Sequence, residues 1–145
     1  MKYIVHTDGG ARSNPGPAGV GFVIRDGHSQ VLKNIGAYIG EATNNFAEYE
    51  ALIRALIELK KIIPKDKRDD AQIEVRMDSE LVVKQLNGEY QIKDEPLQLQ
   101  FVKVWNLRVA EFPNITFVHI PREENFEADA LYNEALDNHQ GTLLA

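Results

Sequence analysis

Four carboxylates sit where chain segments change character. Asp8 follows the alternating run KYIVHT, Glu48 lies near the start of a helical stretch, Asp78 ends a second alternating run, QIEVRM, and Asp129 lies early in the last helical stretch. Ends of strands and starts of helices can gather at one sheet edge. Four converging carboxylates without cations would repel and raise one another's pKa values. An all-oxygen donor set suits Mg²⁺ or Mn²⁺. Two such ions about 3.5–4 Å apart can clamp a phosphodiester, one generating the attacking hydroxide and the other stabilising the leaving oxygen. Alone, Asp8 also reads as a polar strand terminator, and Glu48 as an acid favoured by the dipole at a helix start.

The elements that position these residues follow from hydrophobic periodicity. Residues 2–7 predict a strand with Ile4, His6 and Asp8 on one face and Tyr3, Val5 and Thr7 on the other. Asp8-Gly9-Gly10 is expected to break it, the glycines allowing close approach of backbone or ligand. Residues 19–25 and 30–39 predict two further strands around an Asp26-Gly27 hairpin, with Gly36 as a bulge candidate. Thr43, Asn44 or Asn45 caps a helix to about residue 62, striped by Leu52, Ile53, Leu56 and Leu59. Lys60, Lys61, Lys65, Lys67 and Arg68 crowd its end, where cations complement the dipole and stay solvated. Residues 72–77 predict a strand that a right-handed crossover lays parallel to the first. Asp8 and Asp78 then share one sheet edge on neighbouring strands.

A short helix over residues 79–86, a polar connector over 87–95 and a helix from Pro96 to about Phe112 follow. Phe101, Val102 and Trp105 are the expected buried face of that helix. A fifth strand over 115–120, a loop at 121–125 and a helix from about 125 to 137 or 138 complete the pattern. Phe126, Tyr132, Ala135 and Leu136 are available for its packing. Residues 1–139 are expected to form one domain, and 140–145 a short tail whose Leu143 and Leu144 can dock.

The chain of 145 residues is long enough for one domain with a real core, and 43% hydrophobic content argues against disorder. The absence of cysteine excludes disulfides and thiolate metal sites and fits a reducing, cytoplasmic setting. The N-terminus turns polar too early for a signal peptide, and no apolar run approaches the roughly 18–20 residues of a membrane helix. A net charge of −6 argues against broad basic-surface binding of nucleic acid, but not against binding through metal ions and local donors.

In order, Asp8-Gly9-Gly10, Asn14-Pro15-Gly16-Pro17-Ala18-Gly19, Thr43-Asn44-Asn45 with Glu48, Met77-Asp78-Ser79 and Ala128-Asp129 closely resemble type 1 ribonuclease H, over essentially the whole chain. The resemblance implies an α/β fold with a five-stranded mixed sheet, order 3-2-1-4-5, flanked by helices. It implies two-metal endonucleolytic cleavage of the RNA strand of RNA–DNA hybrids, leaving 5′-phosphate and 3′-hydroxyl ends. Asp8, Glu48, Asp78 and Asp129 then match the metal-binding and catalytic set, with Asp8 bridging both ions and Glu48 beside the leaving group and a ribose 2′-hydroxyl. Gly9, Gly10, Asn14, Asn44 and Asn45 match substrate-contacting positions that read 2′-hydroxyls in the minor groove. Thr43 matches a DNA-phosphate contact. Capping and turn formation account for the same threonine and asparagines, and both roles can coexist.

Two departures stand out. Where better-known bacterial members carry a histidine before the last aspartate, this chain has Arg122, as archaeal-type members do. Arginine cannot act as a base at neutral pH but can bind phosphate and stabilise developing charge; a plain surface cation is the alternative. His119 and His139 are poorer candidates. The connector at 87–95 also lacks the lysine-rich handle of many members and holds only Lys93. The expectation is a compact, monomeric member with weaker hybrid affinity that also cuts some double-stranded RNA. Competing readings are a catalytically silent binding domain of the same fold and a DNA-cutting relative. The four carboxylates weigh against the first and the asparagine segments against the second.

Overall fold

The computed structural model describes residues 1–144, with side chains through residue 141. Strands β1 (Lys2–Ala11), β2 (Gly16–Asp26) and β3 (Val31–Ala42) are followed by helix α1 (Asn44–Ile62), strand β4 (Gln72–Met77), helices α2 (Glu80–Leu86) and α3 (Glu95–Ala110), strand β5 (Ile115–His119) and helix α4 (Phe126–Leu144). The sheet order is β3-β2-β1-β4-β5. β1 pairs antiparallel with β2 and parallel with β4, so the fourth strand runs alongside the first in the expected direction. Among the described residues no helix is long and apolar enough to cross a membrane.

Alternation along β1 divides the two faces. Tyr3, Val5 and Thr7 are buried beneath α1 with Phe22 and Ile24 of β2 and Ile73, Val75 and Met77 of β4. Tyr49, Leu52, Leu56 and Leu59 supply the helix side of this core. Residues of the opposite face, including Asp8, Gly10, Gly19 and Gly21, lie toward α4. That helix rests on a track of glycines: a Cβ on Gly21 would collide with the Ala128 carbonyl, and one on Gly36 with the Leu131 carbonyl.

Several boundaries differ from expectation. β1 does not break at Asp8 but runs to Ala11, with Asp8, Gly9 and Gly10 paired to Gly21, Val20 and Gly19. What ends near Asp8 is the other neighbour: pairing with β4 stops at Thr7–Met77. Gly36 is no bulge. It pairs regularly with Gly21, and the register shifts fall between Ala18 and Gly19 and between Ile24 and Arg25. Arg68 is not simply solvated: it donates to the Lys60 and Ile63 carbonyls at 2.6 and 2.9 Å and pairs with Glu111, satisfying α1's frayed end.

α3 is rotated from its expected face. Leu97, Gln100 and Val104 are buried, while Val102 and Trp105 are 52% and 51% exposed. Apolar residues occur on both sides of this helix, so periodicity alone was ambiguous. The Gln100 Nε2 bond to the Phe46 carbonyl, 3.1 Å, fixes the face turned toward α1. Phe126 is likewise 65% exposed, and Ala128 and Leu136 carry the packing of α4. α4 also continues beyond residue 138. Stacking of His139 on Tyr38 and a 2.6 Å bond from Arg12 to Gln140 hold that stretch. The side chains of Leu143 and Leu144 lie outside those described.

Substituting Gly21→Ala is expected to destabilise the fold by roughly 1–3 kcal/mol, because the added methyl must displace α4. Gly27→Ala, whose Cβ would meet only Lys2 at 3.4 Å and beyond, should cost far less. Urea midpoints of the two variants check this.

Candidate active site

Asp8 lies in β1 just past the last residue paired with β4, so its side chain emerges where the neighbouring strand has ended. Glu48 reaches it from α1. The approach is close because Gly9 has no Cβ; one there would collide with the Ala47 carbonyl. The Gly9 N–H donates to both carboxylates, to Asp8 Oδ1 at 2.9 Å and Glu48 Oε1 at 3.0 Å. Asp78 follows β4 directly, and Ser79 caps α2 by accepting from the Val82 N–H at 3.2 Å. One carboxylate oxygen from each of Asp8, Glu48 and Asp78 lies within 4.8 Å of the others.

Burial and proximity set the electrostatics. The Asp8 pKa is pushed up to about 7, first by desolvation and further by Asp78 and Asp129, against hydrogen bonds from Glu48 and Gly9. Glu48 is raised well above its ordinary value, chiefly by burial and then by Asp8. Asp78 is raised by burial, while Asn125 and Arg122 pull it back. Glu48 Oε2 is buried without a hydrogen-bond partner among the described residues. Such an acceptor is costly unless a cation or proton meets it. The three carboxylates therefore fit a hard divalent ion. Asp129, half-buried in the first turn of α4, stands outside this trio, but its charge acts on both Asp8 and Asp78.

A cleft of about 300 Å³ is lined by Asp8, Glu48 and Asp78 together with Gly9, Gly10, Asn44, Asn45, Ser79, Arg122 and Tyr132. Gly9, Gly10, Asn44, Asn45 and Arg122 thus join the carboxylates as expected. Asn14 and Thr43 do not line the cleft. Asn14 Oδ1 accepts from the Asn44 N–H at 2.9 Å, and Thr43 Oγ1 caps α1 by accepting from Phe46 at 3.2 Å. Thr43 faces a separate hollow with Pro15, Phe46 and Pro96. A larger hollow of about 460 Å³ around Lys2, Gln72, Glu74 and Asn114 shows no such convergence of acids.

Two residues escaped sequence reasoning. Tyr132 reads as helix packing, yet its hydroxyl lies where a Cβ on Gly10 would come within 2.8 Å. Its pKa is pushed up to about 12 by burial and by Asp8 and Asp129, so it stays a neutral donor. Its place one turn after Asp129 was the available signal. Asn125 is buried, donates to the Thr7 carbonyl at 2.9 Å and hydrogen-bonds Asp78. It ties the Arg122 turn to β1, and nothing in its sequence context marks it.

A family model described as "Reverse transcriptase-like" matches residues 6–135. LC11-RNase H1, isolated from compost by a metagenomic approach and solved in complex with an RNA/DNA hybrid, is 52% identical; the match covers 95% of this chain and 99% of that one, with a TM-score of 0.90. The crystal structure of RNase H1 from Halobacterium salinarum is 40% identical, with a TM-score of 0.86 and coverage of 95% and 99%. The bifunctional protein Rv2228c of Mycobacterium tuberculosis is 40% identical over 94% of this chain, which spans 36% of that protein's length.

Because folding raises the Asp8 pKa, the metal-free folded state binds a proton that the unfolded chain has released between about pH 4 and 7. Stability from this group is full below the unfolded value and is lost as pH rises through about 7. Glu74 and Glu111, lowered by Arg76 and Arg68, act below that window. His6, lowered by burial and Arg76, opposes the trend below its usual 6.5. Comparison with Asp8→Asn isolates the effect: in chelator, the wild type is expected to lose stability relative to the variant from pH 5 to 8, as read by urea midpoints.

Proposed function

The chain belongs to the ribonuclease H1 family, and from that premise we propose that it is an endoribonuclease hydrolysing the RNA strand of RNA–DNA hybrids. The observation that carries this is the convergence of Asp8, Glu48 and Asp78 within 4.8 Å beside an unpartnered Glu48 oxygen. A relative that shares half its residues with this chain was solved with such a hybrid. The chain spans 36% of the length of one curated relative and 62% of another, so its substrate and activity are part of the proposal.

Asp8, Glu48, Asp78 and Asp129 would hold two divalent ions, Mg²⁺ or Mn²⁺. When bound, the ions supply Lewis acidity that activates water and stabilises the leaving 3′-oxygen, giving 5′-phosphate and 3′-hydroxyl ends. The chain's own residues do the rest. Gly9 and Gly10 let the sugar–phosphate backbone approach β1 closely. Asn44 and Asn45 offer amides to ribose 2′-hydroxyls, which distinguish RNA from DNA. Arg122, exposed at the cleft rim, supplies a positive charge for a phosphate oxygen. Tyr132 closes the wall beyond Gly10 and keeps its proton among the carboxylates.

The domain is read as a cytoplasmic monomer. The connector that carries only Lys93 gives it a small basic surface, which favours relaxed discrimination and some cleavage of double-stranded RNA. Assayed side by side, hybrid should be cut fastest and RNA duplex measurably; cleavage of hybrid alone would refute the relaxed specificity. A labelled hybrid should be cut only with Mg²⁺ or Mn²⁺ present, and Asp78→Asn should lower the rate more than about 100-fold, since even outer-sphere partners of a metal are worth 10–100-fold. Undiminished cleavage by that variant, or cleavage in chelator, would remove the proposed site.

A further inference from the structure

Between β1 and β2 the chain forms a small closed ring. Asn44 Oδ1 accepts from the Ala11 N–H at 2.8 Å, and Asn14 Oδ1 accepts from the Asn44 N–H at 2.9 Å. The Arg12 N–H closes the loop on the Pro17 carbonyl at 2.8 Å. Ser13 within it has φ of 92°, the left-handed region that a serine occupies only when its surroundings enforce it. Asn44, the member of this ring that lines the cleft, is therefore held by a loop that an outside contact can anchor.

Arg12 provides one. Its side chain spans the late turns of α4. Nη1 donates to Gln140 Oε1 at 2.6 Å, and Nη2 pairs with Asp137 Oδ1 at 2.7 Å. Nη2 also meets the Asn133 carbonyl and Oδ1, both at 3.3 Å. The planar fork suits partners spread over two turns, which a lysine point charge cannot match. Asp137 is 67% exposed, so the ion pair itself adds little to stability. The contact's consequence is geometric.

We propose that Arg12 is a positioning residue for substrate: it locks the 12–17 loop onto α4, so that the Asn133–Gln140 end of that helix, away from the carboxylates, helps present Asn44 to the RNA strand. This rests on the ribonuclease reading and deepens it. The helix end then acts on binding of the ribose rather than on bond cleavage.

The test is steady-state cleavage of a hybrid by wild type, Arg12→Ala and Arg12→Lys, each with all-ribose RNA and with RNA carrying single 2′-deoxy positions scanned around the cut. Arg12→Ala should raise KM about tenfold with kcat within about twofold, the scale of one oriented hydrogen bond lost. Arg12→Lys should recover part of this. The 2′-deoxy substitution that most raises the wild-type KM should cost Arg12→Ala much less, because the donor it would have met is already displaced. A merely structural arginine would lower thermal stability without shrinking that penalty. An unchanged KM, a loss confined to kcat, or an undiminished 2′-deoxy penalty would overturn the inference while leaving the ribonuclease reading in place. Failure of the wild type to cut any hybrid would overturn both.

Discussion

One close approach governs the site: the backbone of α1 lies on the backbone of β1 at Gly9. With no Cβ in the way, Glu48 is carried to the point where β4 pairing has ended and the buried Asp8 side chain lies beside it. The same Gly9 N–H then serves both acids. A single backbone donor cannot neutralise two buried carboxylates that also face Asp78. At an effective dielectric near 20, like charges about 4 Å apart repel by about 4 kcal/mol. The protein relieves this in the metal-free state by holding a proton on the Asp8–Glu48 pair. A divalent cation would relieve it more completely, and would offer a partner to the Glu48 oxygen that otherwise lacks one.

The opposite face of the sheet solves a related problem. Asp129 must come near the cluster from a helix, and intervening side chains normally hold a helix off a sheet. Glycines at 10, 19, 21 and 36 lower α4 onto the strands, until its own carbonyls and Tyr132 occupy the space of the missing side chains. Arg12 and the Tyr38–His139 stack hold the far end of that helix. Asn125 holds its near end through Thr7. The acids on α1 and α4 thus approach one strand from two sides, each through glycine contacts, and the ring at Asn44 is tied to the same helix.

Much of this was legible in the chain. Asp8 and Asp78 each end an alternating run, and the crossover rule alone makes those runs parallel neighbours. Glu48 stands on the edge of a helical stripe. The four motifs in order point to the fold that the sheet order 3-2-1-4-5 then displays. What stayed hidden depended on tertiary contact. Gly9 and Gly10 looked like a strand break because a glycine pair signals a turn as readily as a docking surface. The exposed Val102 and Trp105 looked buried because α3 has apolar residues on both sides, and the Gln100 bond that chooses between them joins residues far apart in sequence. The hydrogen bonds of Asn14 and Thr43 to the start of α1 likewise depend on the fold around them. Tyr132 and Asn125 owe their places to the geometry of α4, which no local pattern encodes.

In this site the buried acids share a proton until a cation displaces it. Calorimetric titration of the chelator-stripped protein with Mg²⁺ or Mn²⁺, repeated near pH 7 in buffers of different ionisation enthalpy, counts the protons released on binding. Net release is expected near pH 7, falling as pH is raised past the Asp8 value of about 7, and falling as well in Asp8→Asn. Tight metal binding with no proton release would contradict the shared proton.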